Sequence, residues 1–376
     1  MAINRVDING ATVIDLTGDS VTPETLLQGA TAHDASGAAI TGTMARGTEL
    51  KIIVTVTSGA TVTATKGSKV VSGASVNGTC TLVVPEEGEW TVSATLGGET
   101  SKSNVVNVTS SYDTTLVFIS PILNDNSWET IREISDAGTG ENFWSIGDRK
   151  EVTLNGTVGA LTLSNYTTYA FIIGFNHNSS LEGTNRIHFQ FAKTALSGGT
   201  DVALCASNYN NIGGGFCMNT SDSNSGGWES SFMRKYICGT SMISYSNTII
   251  AVIPEALRTV LKYVTKYTNN VGRLQSGMES ATVTTDYFFL LSEYEVFGTF
   301  RVANVGESKK QAQYSYYSSG NSKVKYNYNA IGAAVTWWLR SPSASDSEQF
   351  ATCYMSGALS GDDARRSYGF APGFCV

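Results

Sequence analysis

Short apolar runs broken by Gly, Ser, Asn and Pro set the rhythm of most of this chain. Between residues 46 and 112 the runs 51–56, 61–64, 70–71, 80–84, 90–94 and 104–108 are rich in Val, Ile, Thr and Trp. Their period of two predicts short strands in a two-sheeted sandwich, with Trp90 in its core. Residues 1–45 read differently. Run 11–16 is strand-like, Thr22-Pro23-Glu24 has the signature of a helix start, 32–37 is a turn and 39–42 a short strand. So few apolar residues cannot sustain a separate core, so this segment has to dock on something. In the remainder, helices are predicted near 128–135, 230–238, 254–267 and 308–317. The third carries Ala256, Leu257, Val260, Leu261 and Val264 at helical spacing. Strands are predicted at 169–174 and 188–192. Near the end, adjacent Trp337 and Trp338 point to opposite faces of a strand that Pro342 ends. A polar run then reaches residue 367, and the apolar stretch 368–376 supplies a closing strand. A strand, a polar loop and a closing strand make a rigid frame for an exposed surface.

The fold class that follows is mainly β with an α+β C-terminal domain. It divides into an attachment segment (1–45), an Ig-like β-sandwich (46–112) and a large domain (113–376). Composition agrees: 41% of residues are hydrophobic, only 15% are charged, and there are 38 glycines, a balance that suits loop-rich β domains rather than helix bundles. The net charge of −7 opposes nucleic-acid binding. Lys309, Lys310, Lys323 and Lys325 lie among tyrosines, yet Glu307 and the acidic balance favour a solvated face over a basic patch. The opening residues lead into polar sequence without a signal peptide, and no apolar run approaches a membrane span. Such a protein is made in the cytosol and, if it acts outside, leaves by another route, such as lysis inside a particle. The six cysteines follow no metal or redox spacing and read as reduced, partly buried thiols; a Cys353–Cys375 disulfide is the alternative.

Catalytic motifs are scarce. His33, His177 and His188 stand in no metal-binding pattern, no nucleophile elbow or dinucleotide fingerprint occurs, and Gly213-Gly214-Gly215 lacks the lysine of a phosphate cradle. Glu86-Glu87 reads as solvated surface. Asp362-Asp363 offers a conceivable calcium site, although no cofactor is expected. Two stretches, 207–228 and 314–328, are built from Tyr, Ser, Asn and Gly, the residues of adaptable binding surfaces. The competing reading makes them ordinary loops with half-buried tyrosines. The candidate ligand-binding residues are Asp346, Glu348, Tyr354, Asp362, Asp363, Arg365 and Arg366 in the late loop, with Tyr316 and Tyr317 beside them. Trp337, Trp338, Leu339 and Pro372 read as scaffold, and Arg340 is expected to tie the loop down through a buried carboxylate or carbonyl.

Trp337-Trp338-Leu339-Arg340-Ser341-Pro342, followed by the terminal Gly369-Phe370-Ala371-Pro372, resembles a family of C-terminal domains of unknown function common in phages and prophages of gut Firmicutes. Ser127-Trp128-Glu129-Thr130-Ile131, Asn142-Phe143-Trp144-Ser145-Ile146-Gly147-Asp148 and the run 289–298 extend that resemblance over 113–376. It implies a C-type-lectin-like fold whose late loop faces the ligand. Asp15-Leu16-Thr17-Gly18-Asp19, Thr31-Ala32-His33-Asp34 and Ile40-Thr41-Gly42-Thr43 are similar to the N-terminal attachment segments of virion proteins in the same phages. The resemblance therefore implies a virion protein of tail-fibre, receptor-binding type. Residues 1–45 would bind other virion proteins, and the C-terminal domain would adhere to a host-cell surface glycan or protein, as a homotrimer, without nucleic-acid partners or membrane insertion. A capsid-attached head fibre or decoration protein is the alternative. A formylglycine-generating oxidase of the same fold, using Cys353 and Cys375, is the third.

Overall fold

A computed structural model describes residues 3–44, 49–101, 103–116, 118–273 and 280–376. The chain is mainly β and divides into two compact units, Met1–Ile119 and Ser120–Val376.

The first unit opens with two small hairpins. Arg5–Ile8 pairs with Ala11–Asp15 across Asn9-Gly10, both with positive φ (53° and 78°), the turn that suits the twist of a two-residue hairpin. Thr31–His33 pairs with Ala39–Thr41, and the Asp34 carboxylate accepts the backbone N–H groups of Ser36 (2.9 Å) and Ala38 (3.0 Å) in the turn. The helix predicted to start at Thr22 is instead a turn, Thr25 N–H to Thr22 O at 3.1 Å. No apolar face follows for a helix there to bury. Ile8, Val13, Ile14 and Leu27 are all exposed. The boundary expected at 45/46 lies outside the described residues.

The sandwich follows. Gly88–Leu96 lies between Thr61–Lys66 on one side and Glu99–Thr100 and Asn104–Val108 on the other, and Lys69–Ala74 pairs with the outer side of Thr61–Lys66. The second sheet has Lys51–Thr55 between Thr79–Val83 and Tyr112–Thr115. Alternate residues of both sheets (Ile52 and Val54, Val62 and Ala64, Trp90 and Val92, Val106 and Val108) share one apolar core, and the Trp90 indole donates to Glu86 O at 3.1 Å. The boundary predicted at 112 falls inside this sandwich. Tyr112–Thr115 runs parallel to Lys51–Thr55 and Leu116 is a core residue, so the sandwich continues past Tyr112.

The second unit is organised on a five-stranded sheet in the order Arg149–Val158, Leu161–Phe175, Ile187–Lys193, Gly373–Cys375, Phe288–Phe289. The end of the chain thus lies inside the sheet. Every residue of Ile187–Lys193 is buried, and its alternation separates two layers. Phe189 meets Phe374 (5.3 Å) and Trp128 (5.5 Å) of the helix Trp128–Asp136, whose N-cap is Ser127. His188 and Gln190 point the other way, to the hydroxyls of Tyr314 (3.0 Å) and Tyr317 (2.6 Å). The predicted helix 254–267 is only the turn Glu255–Arg258. From Val264 the chain is a strand, Val264–Thr268, paired with Thr282–Asp286, since β-branched alternation there outweighs the helical spacing before it. The helix predicted at 230–238 is a π-helix, Met233–Gly239, and that at 308–317 splits into Val305–Ser308 and Ser315–Ser318. All six cysteines are free and buried. The alternative Cys353–Cys375 disulfide is therefore not formed: Cys353 Sγ lies 3.3 Å from Lys323 O and Cys375 Sγ 3.3 Å from His188 Nδ1. Among the described residues, no helix is long and apolar enough to cross a membrane.

Candidate ligand-facing surface

Trp337–Pro342 is fully buried, with the Trp337 indole donating to Lys323 O (2.9 Å) and the Trp338 indole to Phe216 O (2.9 Å). The polar run after it is not a free loop. Gln349–Cys353 and Leu359–Asp363 form a hairpin on the edge of that strand, in register from Gln349 opposite Asp363 to Cys353 opposite Leu359. Its tip closes with Gly357 N–H to Tyr354 O at 2.7 Å, Gly357 taking a positive φ of 82°. Tyr354 and Met355 are left 44% and 42% exposed, a pair of large apolar side chains held out at a rigid corner.

The structure brings this hairpin together with the first Tyr/Ser/Asn/Gly stretch. Backbone bonds run from Asn210 N–H to Ser367 O (2.7 Å), Gly213 N–H to Arg365 O (2.9 Å), Asn219 N–H to Ala364 O (3.0 Å) and Asn224 N–H to Ser347 O (2.7 Å). The buried Asn224 amide also reaches the carbonyls of Ser343 (3.0 Å), Asp346 (2.8 Å) and Gln349 (2.9 Å). Two segments more than a hundred residues apart in sequence therefore make one surface, with Ile212 56% exposed beside the hairpin.

Most charged candidates hold this surface in place. Arg365 pairs with Asp222 (Nη2–Oδ2 2.6 Å), holding that carboxyl below its usual range. Arg366 pairs with Asp362 (3.2 Å), which also accepts the Tyr368 hydroxyl (2.5 Å). Asp346 accepts Glu348 N–H at 2.9 Å in a local turn. With Asp362 so engaged, the Asp362-Asp363 pair is not arranged as a calcium cage. Glu348, Asp363 and Tyr354 remain at the surface, Glu348 and Tyr354 being the more exposed. Tyr316 and Tyr317, expected at the ligand-facing surface, are instead 5% and 2% exposed. Tyr317 donates to Gln190, and Tyr316 joins Lys193 (2.9 Å) and Asp201 (3.3 Å). Their rings fill the sheet's second layer, so only their hydroxyls need polar partners.

Sequence reasoning missed the buried ion network beneath. Lys266 lies 2.6 Å from Glu182 and 2.9 Å from Glu295, and Arg340 grips Glu295 through both terminal nitrogens while donating to Leu290 O (2.8 Å) and Thr268 Oγ1 (2.7 Å). All four side chains are fully buried. Burial opposes ionisation of Glu295, but Arg340 and Lys266 hold it well below the usual range. His177 stacks on Tyr314 at 3.7 Å, and burial and Lys266 push its imidazole down to about 3. His177, Glu182 and Glu295 have the spacing of metal ligands, yet the Lys266 ammonium already sits between the carboxylates. Burial raises the Glu182 carboxyl and the Lys266 ammonium opposes that rise; with both carboxylates ionised, two anions and two cations balance, so the cluster reads as a structural tie. The tie that Arg340 makes runs to the capped helix Glu293–Phe297 in the body of the unit rather than to the late hairpin.

A family model described as "Domain of unknown function (DUF6273)" matches residues 206–376, which include the tyrosine-bearing loop, Lys266, Glu295, the double-tryptophan strand and the hairpin. No curated protein matches the chain.

Proposed function

We propose that this protein is a bacteriophage virion component of tail-fibre type, in which an N-terminal segment fastens to the particle, an Ig-like sandwich acts as spacer and a C-type-lectin-like unit contacts a host-cell glycan or protein. The observation that carries this reading is the composite surface of the late hairpin and the 207–224 loop. It is rigidly backed, exposes Tyr354, Met355 and Ile212, and commits most of its charged groups to mutual pairing. A scaffold that holds amphipathic side chains at a fixed corner suits contact. The exposed Ile8, Val13 and Ile14 of the first hairpin, and Leu27 between the two hairpins, suit burial against a partner or against further copies in a homotrimer. Burial pushes the Cys353 and Cys375 thiols up to about 12, which argues against either as the reactive thiolate of an oxidase.

A head fibre or decoration protein would share this architecture and differ in where residues 1–45 dock. Immunogold labelling of particles from an induced lysogen carrying the gene separates them. Gold at the tail tip supports the adhesin, gold over the capsid supports the head fibre, and protein found only free of particles overturns both.

A further inference from the structure

A groove of about 570 Å³ in the second unit lies apart from the hairpin tip. One wall is the segment from Phe232 through the π-helix Met233–Gly239, and the facing wall is the polar stretch from Ser244 to Thr248. Three observations meet here. The first is the π-helix itself, a rare conformation concentrated at functional positions, because its extra residue per turn displaces side chains from their helical places. The second is an aromatic platform. Phe232 and Tyr236 pack with ring centroids 5.1 Å apart at 35°, and Tyr236 is 60% exposed. The third is the chemistry opposite: Ser244, Ser246 and Asn247 present hydroxyls and a side-chain amide, and among the described residues Lys235 is the only charged one in the lining.

The walls are fixed. Asn247 takes a left-handed φ of 61°, and its carbonyl accepts Gly159 N–H at 2.7 Å, anchoring the polar stretch to the hairpin turn of the main sheet. Gly159 suits this turn, since its φ of 54° is left-handed and a Cβ there would stand 2.6 Å from Ile237 Cδ1. Ile237 and Cys238 are fully buried and root the π-helix in the core.

An aromatic face opposed by short neutral hydrogen-bonding groups is complementary to a pyranose ring. Its face of axial C–H bonds packs on the negative π-face, and its rim of hydroxyls meets the polar wall. We infer that this groove is a carbohydrate subsite that takes a neutral pyranose unit, with Tyr236 as the stacking platform and Ser246 and Asn247 as hydrogen-bonding partners. This rests on the adhesin reading and deepens it, placing sugar recognition in the groove and leaving the hairpin tip for wider contact.

Saturation-transfer NMR on the full chain tests it, using methyl glucoside, methyl galactoside, methyl mannoside, rhamnose and N-acetylglucosamine as probes. The expected result is transfer to the ring C–H protons of at least one of them, reduced at least tenfold by Tyr236→Ala and by Ser246→Trp, which fills the groove from the other wall, and unchanged by Ile331→Ala, an exposed residue outside the groove and the late hairpin. No transfer to any probe, or transfer that survives Tyr236→Ala and Ser246→Trp in folded protein, overturns the inference. Cell binding with a silent groove would sink the subsite alone, whereas sugar binding by a protein absent from particles would sink the virion reading alone.

Discussion

Replacing Arg340 with Met removes the cation that compensates Glu295 while keeping an unbranched side chain of similar reach. In the native unit the guanidinium is fully buried, donates to Leu290 O, Thr268 Oγ1 and both Glu295 oxygens, and balances two carboxylates against two cations with Lys266. Without it, one ammonium faces Glu182 and Glu295, and an uncompensated negative charge stays in a site that water does not reach. Breaking a buried pair in this way costs about 3–5 kcal/mol, a large share of the roughly 5–15 kcal/mol that a domain has. Five of the six tryptophans (Trp128, Trp144, Trp228, Trp337 and Trp338) lie in the second unit, so urea unfolding followed by tryptophan fluorescence reports mainly on it. The midpoint of Arg340→Met should fall by the corresponding amount. The double variant Glu295→Gln/Arg340→Met, which leaves Lys266 and Glu182 as a neutral pair, should recover part of the loss. A single variant within about 0.5 kcal/mol of the parent protein, the range of an inconsequential surface change, would refute this account of the network.

Glu307 offers a pH test. Burial raises its carboxyl from 4.5 to about 7, and one of its oxygens has no hydrogen-bond partner. The folded protein therefore holds a proton that the unfolded chain releases between those values, so stability falls as pH rises through that window, by at most about 3 kcal/mol. Glu307→Gln should flatten the difference between urea midpoints at pH 5 and pH 8 and raise the midpoint at pH 8; an unchanged slope counts against it. Tyr317→Phe leaves Gln190 Oε1 without its buried donor. It should cost about 1–2 kcal/mol in the same unfolding assay and leave cell binding intact, whereas lost binding at full stability would return Tyr317 to the ligand-facing surface. Native protein should react with Ellman's reagent only on unfolding, since Cys205, Cys353 and Cys375 are buried thiols pushed up to about 12; rapid modification of the folded chain would contradict that burial.

Local patterns carried the sandwich strands, the Trp90 core position and the helix near 128–135, because these are set by neighbouring residues. What failed depended on distant pairing. Val264 continued a helical spacing in sequence, but Thr282–Asp286 claims it as a strand. Tyr316 and Tyr317 sit in a composition that serves a binding surface and a buried hydroxyl layer equally well, and only the packing of that segment against Phe171 and Gln190 decides between them. The ion network left traces that could have been read. Lys266 stands between Val264 and Thr268 on the inward face of its strand, and the Ser292–Glu295 capping box lies in an otherwise apolar run, so both demanded buried partners. Arg340 was legible as a tie, but its partner in the body of the unit was not.

The central claim is that the exposed corner of the late hairpin makes contact with a bacterial surface. Flow cytometry of the fluorescently labelled full chain on a panel of gut Firmicutes, beside a Glu348→Lys/Tyr354→Ala variant, tests it most directly. The account predicts saturable binding to at least one strain and its loss in the variant at an unchanged unfolding midpoint, because both side chains are exposed and outside the pairing that holds the surface. Equal binding by the two proteins, or none by the parent chain on any strain, would contradict it.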